Sequence, residues 1–290
     1  MHVGVSHIRH GNDLAEVGKR AEDLGFESYW LPDHTVLPVH KEAAYPGTPA
    51  GEEEPDYLWQ FVDPLIGLSH VAAVTSTIKL GTGVCLVPER NPIVLASQVA
   101  SLDHLSGGRV LFGIGGGWCR EECEILGGDF DHRWSQIKEY VAAAKVLWTE
   151  DPSEYHGRYV DFPAVRAFPK PVQRPHPPVL MGSVDNPRAL RRVVEWGDGW
   201  VPLVQGVDEF AAGATRIRQL AEECGRDPES IDLSVFGLSG QWMTKESYEA
   251  FEQAGCNRLI LFLDALTTEE NLAHLEALAA EFSLDQHKID

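Results

Sequence analysis

Residues 78–118 read IKLGTGVCLVPERNPIVLASQVASLDHLSGGRVLFGIGGGW. Two apolar, β-branched runs, each closing on glycines, flank one segment of helical period. That pattern is a strand–helix–strand crossover. A glycine at a strand's end means that something flat or crowded approaches the backbone there. Two such ends one crossover apart predict neighbouring parallel strands that open onto a common ligand.

Working outward, the same signals recur along the chain. Apolar runs predict strands at 2–8, 27–31, 78–84, 110–114, 178–181, 199–202, 231–236 and 258–263. Helical periodicity predicts helices at 13–24, 63–75, 92–105, 118–126 with 134–148, 187–196, 207–224, 245–254 and 268–282. Strand–helix pairs repeated eight times over 290 residues fit an α/β fold of the (β/α)8 barrel type, one domain spanning 1–290. The strands are short and apolar throughout, as strands covered on both faces should be. A doubly wound sheet also alternates, but it normally carries a phosphate fingerprint after its first strand. Here that turn reads HIRHGNDL and has none. Two connections exceed ordinary loop length, 35–60 and 150–177, and are expected to be insertions. For the first, a lid over the site and a passive or dimer contact weigh evenly. After Asp161 the second carries Arg166, Lys170, Arg174 and His176 and no acid, which favours contact with an anion or a partner.

Bulk composition narrows the function. The formal charge of −20 argues against nucleic acid, whose phosphates need a basic face. No run of about 20 apolar residues is present, so no membrane span is expected. The N-terminus, MHVGVSHIRHGNDL, enters a strand pattern without a signal-peptide core, and a cytoplasmic location is expected. Five scattered cysteines read as reduced thiols, and twelve histidines without ligand spacing predict no metal.

Candidate site residues lie where strands end. Asp33 and His34 follow the second strand, the side on which barrel enzymes keep their chemistry, and imidazole titrates near neutral pH. A capping pair is the plainer reading; function is favoured because His7 also ends a strand on that rim. Thr82, Gly83 and Val84 close the third strand, where glycine marks a bulge or a close approach. The run Gly113-Ile114-Gly115-Gly116-Gly117-Trp118 is no dinucleotide fingerprint, because G-x-G-x-x-G requires glycine where Trp118 stands. Gly115 and Gly117 leave room for a planar ring; Trp118 is a stacking wall or a helix-start core residue, evenly balanced. Gly182 and Ser183 end the fifth strand before a helix bearing Arg188, Arg191 and Arg192. A helix start binds phosphate, but from spacing alone simple capping by Ser183 or Asp185 is slightly ahead. Arg133, Glu139, Glu121 and Glu122 read as parts of a structural polar network.

These residues carry a resemblance. LGFESYWLPDH (24–34), the whole 78–118 stretch with its SLDHLSGGR, DHRWSQIKEYVAAAKVLW (131–148), FPKPVQRPHPPVLMGS (168–183) and ALRRVVEWGDGWVP (189–202) resemble the luciferase-like monooxygenase superfamily. The chain looks most like its branch of oxidoreductases that use the deazaflavin coenzyme F420. From residue 206 on, only the strand–helix pattern matches. The resemblance implies a (β/α)8 barrel and hydride transfer between F420 and a small organic substrate, or FMN-dependent monooxygenation served by a separate reductase. It implies that Asp33 and His34 touch the deazaflavin ring. Thr82, Gly83 and Val84 match a bulged third strand, often with a non-prolyl cis peptide, that backs the ring. Gly115 and Gly117 match the strand end beside it, and Gly182 and Ser183 the phosphate turn. His34 and Trp118 are the catalytic candidates, Trp118 shaping the pocket together with His7. It further implies a homodimer. Three departures stand out. Trp118 replaces the glutamate acid of sugar-phosphate dehydrogenases. Gly116 stands where FMN enzymes tend to place an arginine. The turn MGSVDNPRAL is one residue longer than usual, with Ser183 for its second glycine.

Overall fold

A computed structural model describes residues 1–8, 13–48 and 53–284. Its elements, in chain order, are β1 (His2–His7), α1 (Leu14–Asp23), β2 (Ser28–Leu31), α2 (Pro64–Ala72), β3 (Lys79–Thr82), β4 (Cys85–Leu86), α3 (Pro92–Ser106), β5 (Val110–Gly115) and α4 (Arg120–Ile125). There follow α5 (Arg133–Thr149), β6 (Ser153–His156), β7 (Asp161–Val165), β8 (Val179–Met181), α6 (Pro187–Trp196) and β9 (Gly199–Trp200). The chain ends with α7 (Val207–Glu223), β10 (Asp232–Phe236), α8 (Lys245–Gln253), β11 (Arg258–Leu263) and α9 (Thr268–Phe282).

The sheet runs β3-β2-β1-β11-β10-β9-β8-β5, and β3 also pairs with β5, so eight parallel strands close into a ring. This is the expected (β/α)8 barrel. Helix starts follow their local chemistry: Asp63, Asn91 and Asn186 each accept two backbone N–H bonds, and a proline fills the first helical position behind each. The third strand is interrupted, as the resemblance implies. It breaks after Thr82, passes through a cis peptide between Gly83 and Val84, and resumes as β4 against β5.

Strand alternation sorts the side chains into two layers. Trp30, Leu111, Leu180, Val201, Phe236 and Ile260 fill the barrel. Val3, Val5, Tyr29, Leu31, Phe112, Met181 and Trp200 point outward into the sheet–helix layer. The floor at the N-terminal ends is polar: Arg258 binds Glu27 at 2.7 and 2.9 Å, and Asp232 at 3.0 Å. The motifs most specific to the resemblance also serve the fold. Arg109 of SLDHLSGGR bonds the carbonyls of Ala72, Thr75 and Ile78 and so ties the end of α2 to β5. Asp103 receives the backbone N–H groups of Val172 and Gln173, and Asp198 of GDGW receives that of Val179.

The two insertions have separate fates. Segment 150–177 is not merely a loop, because it contains the antiparallel hairpin β6–β7. It connects a helix to the next strand and therefore lies toward the N-terminal end, away from the C-terminal mouth. Residues from its end help to line a cavity of about 470 Å³ there, with His2, Asp232 and Arg258. Lys170 donates to Leu147 O, Arg174 to Pro171 O, and His176 lies 2.9 Å from Pro177 O. Three of the four cations singled out in that segment thus anchor the chain itself. The first insertion, in its described part, lies over the opposite mouth.

Candidate active site at the C-terminal mouth

Four consecutive staves of the barrel, β2, β3 with β4, β5 and β8, bring the candidate residues onto one arc of the C-terminal mouth. Their carboxyl-terminal ends carry Asp33-His34, Gly83-Val84, Gly115 to Trp118, and Gly182-Ser183. Closure of the ring does this; positions up to 150 apart in the chain become neighbours.

His34 is held on two sides. Its Nδ1 lies 2.7 Å from Glu122 Oε2, and its Nε2 accepts from the Trp118 indole at 3.3 Å. These partners assign the proton of the neutral ring to Nδ1. Phe61 stacks on the imidazole with centroids 5.9 Å apart. Trp118 thus lies half-buried beside His34 and not in the core. From the insertion, Tyr45 packs on it at 5.7 Å and Lys41 stands over its ring at 5.8 Å. The Glu42 backbone N–H donates to Glu121 in addition. Glu122, read from sequence as part of a structural network, is the partner of His34. Its placement one helical turn beyond Trp118 was the available signal.

Asp33 works one step back. Arg90 grips both its oxygens, at 2.8 and 3.2 Å, and the Leu86 backbone N–H donates to it at 2.9 Å. Arg90 also binds Asp63, which caps α2. One guanidinium therefore joins the β2 loop, the end of β4 and the start of α2. Its carboxylate partners raise its proton affinity above the usual arginine value against the opposing effect of burial. Glu89, beside Arg90, was not singled out from sequence. Both its carboxyl oxygens are buried without a hydrogen-bond partner. Burial, then the charges of Glu122 and Asp33, push it up to about 9.

That shift has a consequence for stability. A folded chain that holds a proton on Glu89 which the unfolded chain releases is at its best below the ordinary glutamate range and loses stability as pH rises toward 9. The slope is on the order of 1 kcal/mol per pH unit in between. Glu89→Gln removes this loss, so its stability advantage over wild type in urea melts should widen from pH 6 to pH 8. A constant difference across that range would contradict the assignment.

The glycine-rich strand ends have an internal explanation in part. A Cβ on Gly113 would stand 2.0 Å from the Thr82 carbonyl oxygen, so β3 and β5 could not pair as closely. Thr82 Oγ1 donates to Gly113 O from the buried side, so what this residue offers the mouth is its backbone. Cβ atoms on Gly115 and Gly182 would meet the Val84 side chain at 2.6 and 2.8 Å, and one on Gly83 would meet Phe236. What crowds these glycines is Val84 and Phe236. Val84, half-buried, and Phe236, buried beneath it, make an apolar floor at the mouth. Gly117 has φ +70°, a turn that aims the chain from β5 toward Trp118.

His7 does not shape the pocket. It is fully buried, with Nδ1 2.6 Å from the Tyr29 hydroxyl. It shares the face of Val3 and Val5, because side chains alternate along β1, and so points toward the helices.

On the β8 side, the α6 start is capped by Asn186, not by Ser183 or Asp185. Ser183 Oγ is buried and has no partner. Arg133 lays its side chain against Gly116, 3.3 Å from where a Cβ would be, and its buried Nε has no partner. Arg192 packs over Trp134, its proton affinity lowered by burial and by Arg133 and Arg188 nearby. Unpaired donors beside an apolar floor fit a flat ring carrying a phosphate. The residues present are therefore compatible with a flavin or a deazaflavin.

The fold is a (β/α)8 barrel with its candidate residues on one arc of the C-terminal mouth. Residues 2–290 match the luciferase-like monooxygenase family, and the chain belongs to it. An uncharacterized protein of Mycobacterium tuberculosis is 32% identical over 271 residues, 93% of each chain. An F420-dependent glucose-6-phosphate dehydrogenase of Amycolatopsis mediterranei is 30% identical over 229 residues, 77% of this chain and 63% of that protein. An FMNH2-dependent dimethylsulfone monooxygenase of Pseudomonas putida is 32% identical over 161 residues, 51% of this chain and 44% of that one. Among solved structures, the coenzyme F420-dependent tetrahydromethanopterin reductase of Methanopyrus kandleri superposes with a TM-score of 0.73 at 17% identity. It covers 97% of this chain and 98% of its own. No helix among the described residues is long and apolar enough to cross a membrane.

Proposed function

We propose that this protein is an F420-dependent oxidoreductase that moves a hydride between the deazaflavin and a small organic substrate. The observation that carries this reading is the pinned imidazole. His34 has Nδ1 on Glu122 and Nε2 on the long Trp118 indole contact, a contact that a substrate would replace when Nε2 takes or gives the proton that must accompany hydride transfer. When bound, the coenzyme supplies the hydride chemistry, and the chain supplies position and electrostatics. In this reading Val84 and the backbone at Gly83, Gly115 and Gly182 back the ring, with Gly117 setting the turn beside it. Ser183 and Arg133 hold the phosphate. Asp33 keeps the His34 loop in register through Arg90. Trp118, Phe61 and Tyr45 give the substrate an aromatic enclosure, and Trp118 in place of a carboxylic acid disfavours a sugar phosphate. The 35–60 segment acts as the lid.

The second reading, an FMN-dependent monooxygenase with a separate reductase, is favoured by Arg133. Its guanidinium reaches the end of β5 from α5, where an arginine on the strand itself is missing. Fluorescence titration of the purified protein with F420 and with FMN separates the two. Tight saturation by F420 and weak binding of FMN is expected, and the reverse order would overturn the first reading.

We also propose a homodimer built on α2 and α3. Ile66, Ile93, Val94 and Leu105 are exposed on these adjacent helices. Apolar side chains exposed on adjacent helices are what a dimer seam would cover. Val94→Glu should shift the sedimenting species from dimer to monomer, and a monomeric wild type would refute the assembly.

A further inference from the structure

One buried acid is left without a task in the proposed reaction. Glu89 closes the short turn Val87–Glu89 after β4. Its Oε1 lies 3.4 Å from where a Cβ on Gly117 would stand, directly under the turn that delivers Trp118 to His34. Neither of its oxygens has a donor, and neither does Glu122 Oε1. The titratable groups facing Glu89 are Glu122 and Cys123 from α4, Asp33 from the β2 loop, and its neighbour Arg90. Arg90 is already engaged by Asp33 and Asp63. The two glutamates therefore confront each other while the guanidinium beside them is committed to other carboxylates, and an unpaired carboxylate in so dry a place is strongly disfavoured.

We propose that Glu89 is a positioning residue for His34. Held as a neutral carboxylic acid, it puts no charge of its own beside the Glu122 carboxyl that holds the imidazole. Losing its proton adds a charge there and resets the His34–Glu122 pair. The inference rests on His34 being the working group, but its test needs neither coenzyme nor substrate, so it can fail or hold independently of the coenzyme assignment.

The experiment is a pH titration of the ligand-free protein, following the two-bond proton–nitrogen signals of His34. In wild type the His34 nitrogens should show a separate, smaller step near pH 9, where Glu89 ionises. In Glu89→Gln that step should vanish while the Nδ1 hydrogen-bonded signature to Glu122 stays. Glu122→Ala, which has no acceptor, should lose that signature. An infrared titration of the wild type supplies a reading that no folding defect can obscure. The carbonyl stretch of a protonated buried carboxyl should be present at neutral pH and disappear through the same step. Absence of that band at neutral pH, or persistence of the His34 step in Glu89→Gln, overturns the proposal.

Discussion

Replacing His34 by alanine is expected to lower turnover by about 10²- to 10⁴-fold, the usual worth of a positioned acid–base group. Coenzyme affinity should change little. His34 makes its polar contacts to Glu122 and Trp118, whereas the ring floor is Val84 and backbone, which the substitution leaves in place. A panel of small carbonyl and hydroxyl compounds supplies the substrate, and stopped-flow absorbance of the coenzyme separates binding from hydride transfer. A His34→Asn variant retains a polar group of similar reach but cannot exchange a proton near neutral pH. It should fall with the alanine variant. Full activity in either would remove His34 from the chemistry and leave it a loop anchor.

Arg90→Met should be the most damaging single change to stability near the site, about 3–5 kcal/mol, because it strands a buried carboxylate. Asp33 is almost wholly buried and has both oxygens committed to Arg90 and Leu86 N–H. Once the guanidinium is gone, only one backbone donor remains for a full negative charge. Adding Asp33→Asn to Arg90→Met should recover a substantial part of the loss, since the amide carries no charge to strand. Urea unfolding of the two single variants and the double variant measures the coupling directly. Simple additivity would show that the pair is not the reason for the loss. The same link predicts that Arg90→Met weakens coenzyme binding, because Arg90 and the Leu86 N–H tie Asp33 to β4, the strand that carries on from Val84.

Much of this architecture is legible in the linear chain. Strand and helix periods, the Pro-after-cap signatures at 64, 92 and 187, and the apolar character of every strand are local properties. Each is dictated by backbone sterics and by the need to bury one face. Eight such units have one common closed arrangement. The break in the third strand was visible as Gly81-Thr82-Gly83, and the residues at four strand ends were found because barrel chemistry is confined to one rim.

What stayed hidden depends on direction and distance. Whether His7 looks into the barrel or out of it depends on its register along β1, and one residue of offset reverses it. Glu122 read only as part of a structural polar network until α4 folded it against His34, and Glu89 gave no signal because burial is not written in a residue's neighbours. The glycines were correctly sensed as sites of close approach, yet only packing reveals that Val84 and Phe236 are what approach. Sequence determined the staves and the rim, because these follow from interactions within a few residues. Tertiary structure alone decided which carboxyls lose water and face one another, because desolvation and charge coupling arise only when distant segments share the same space.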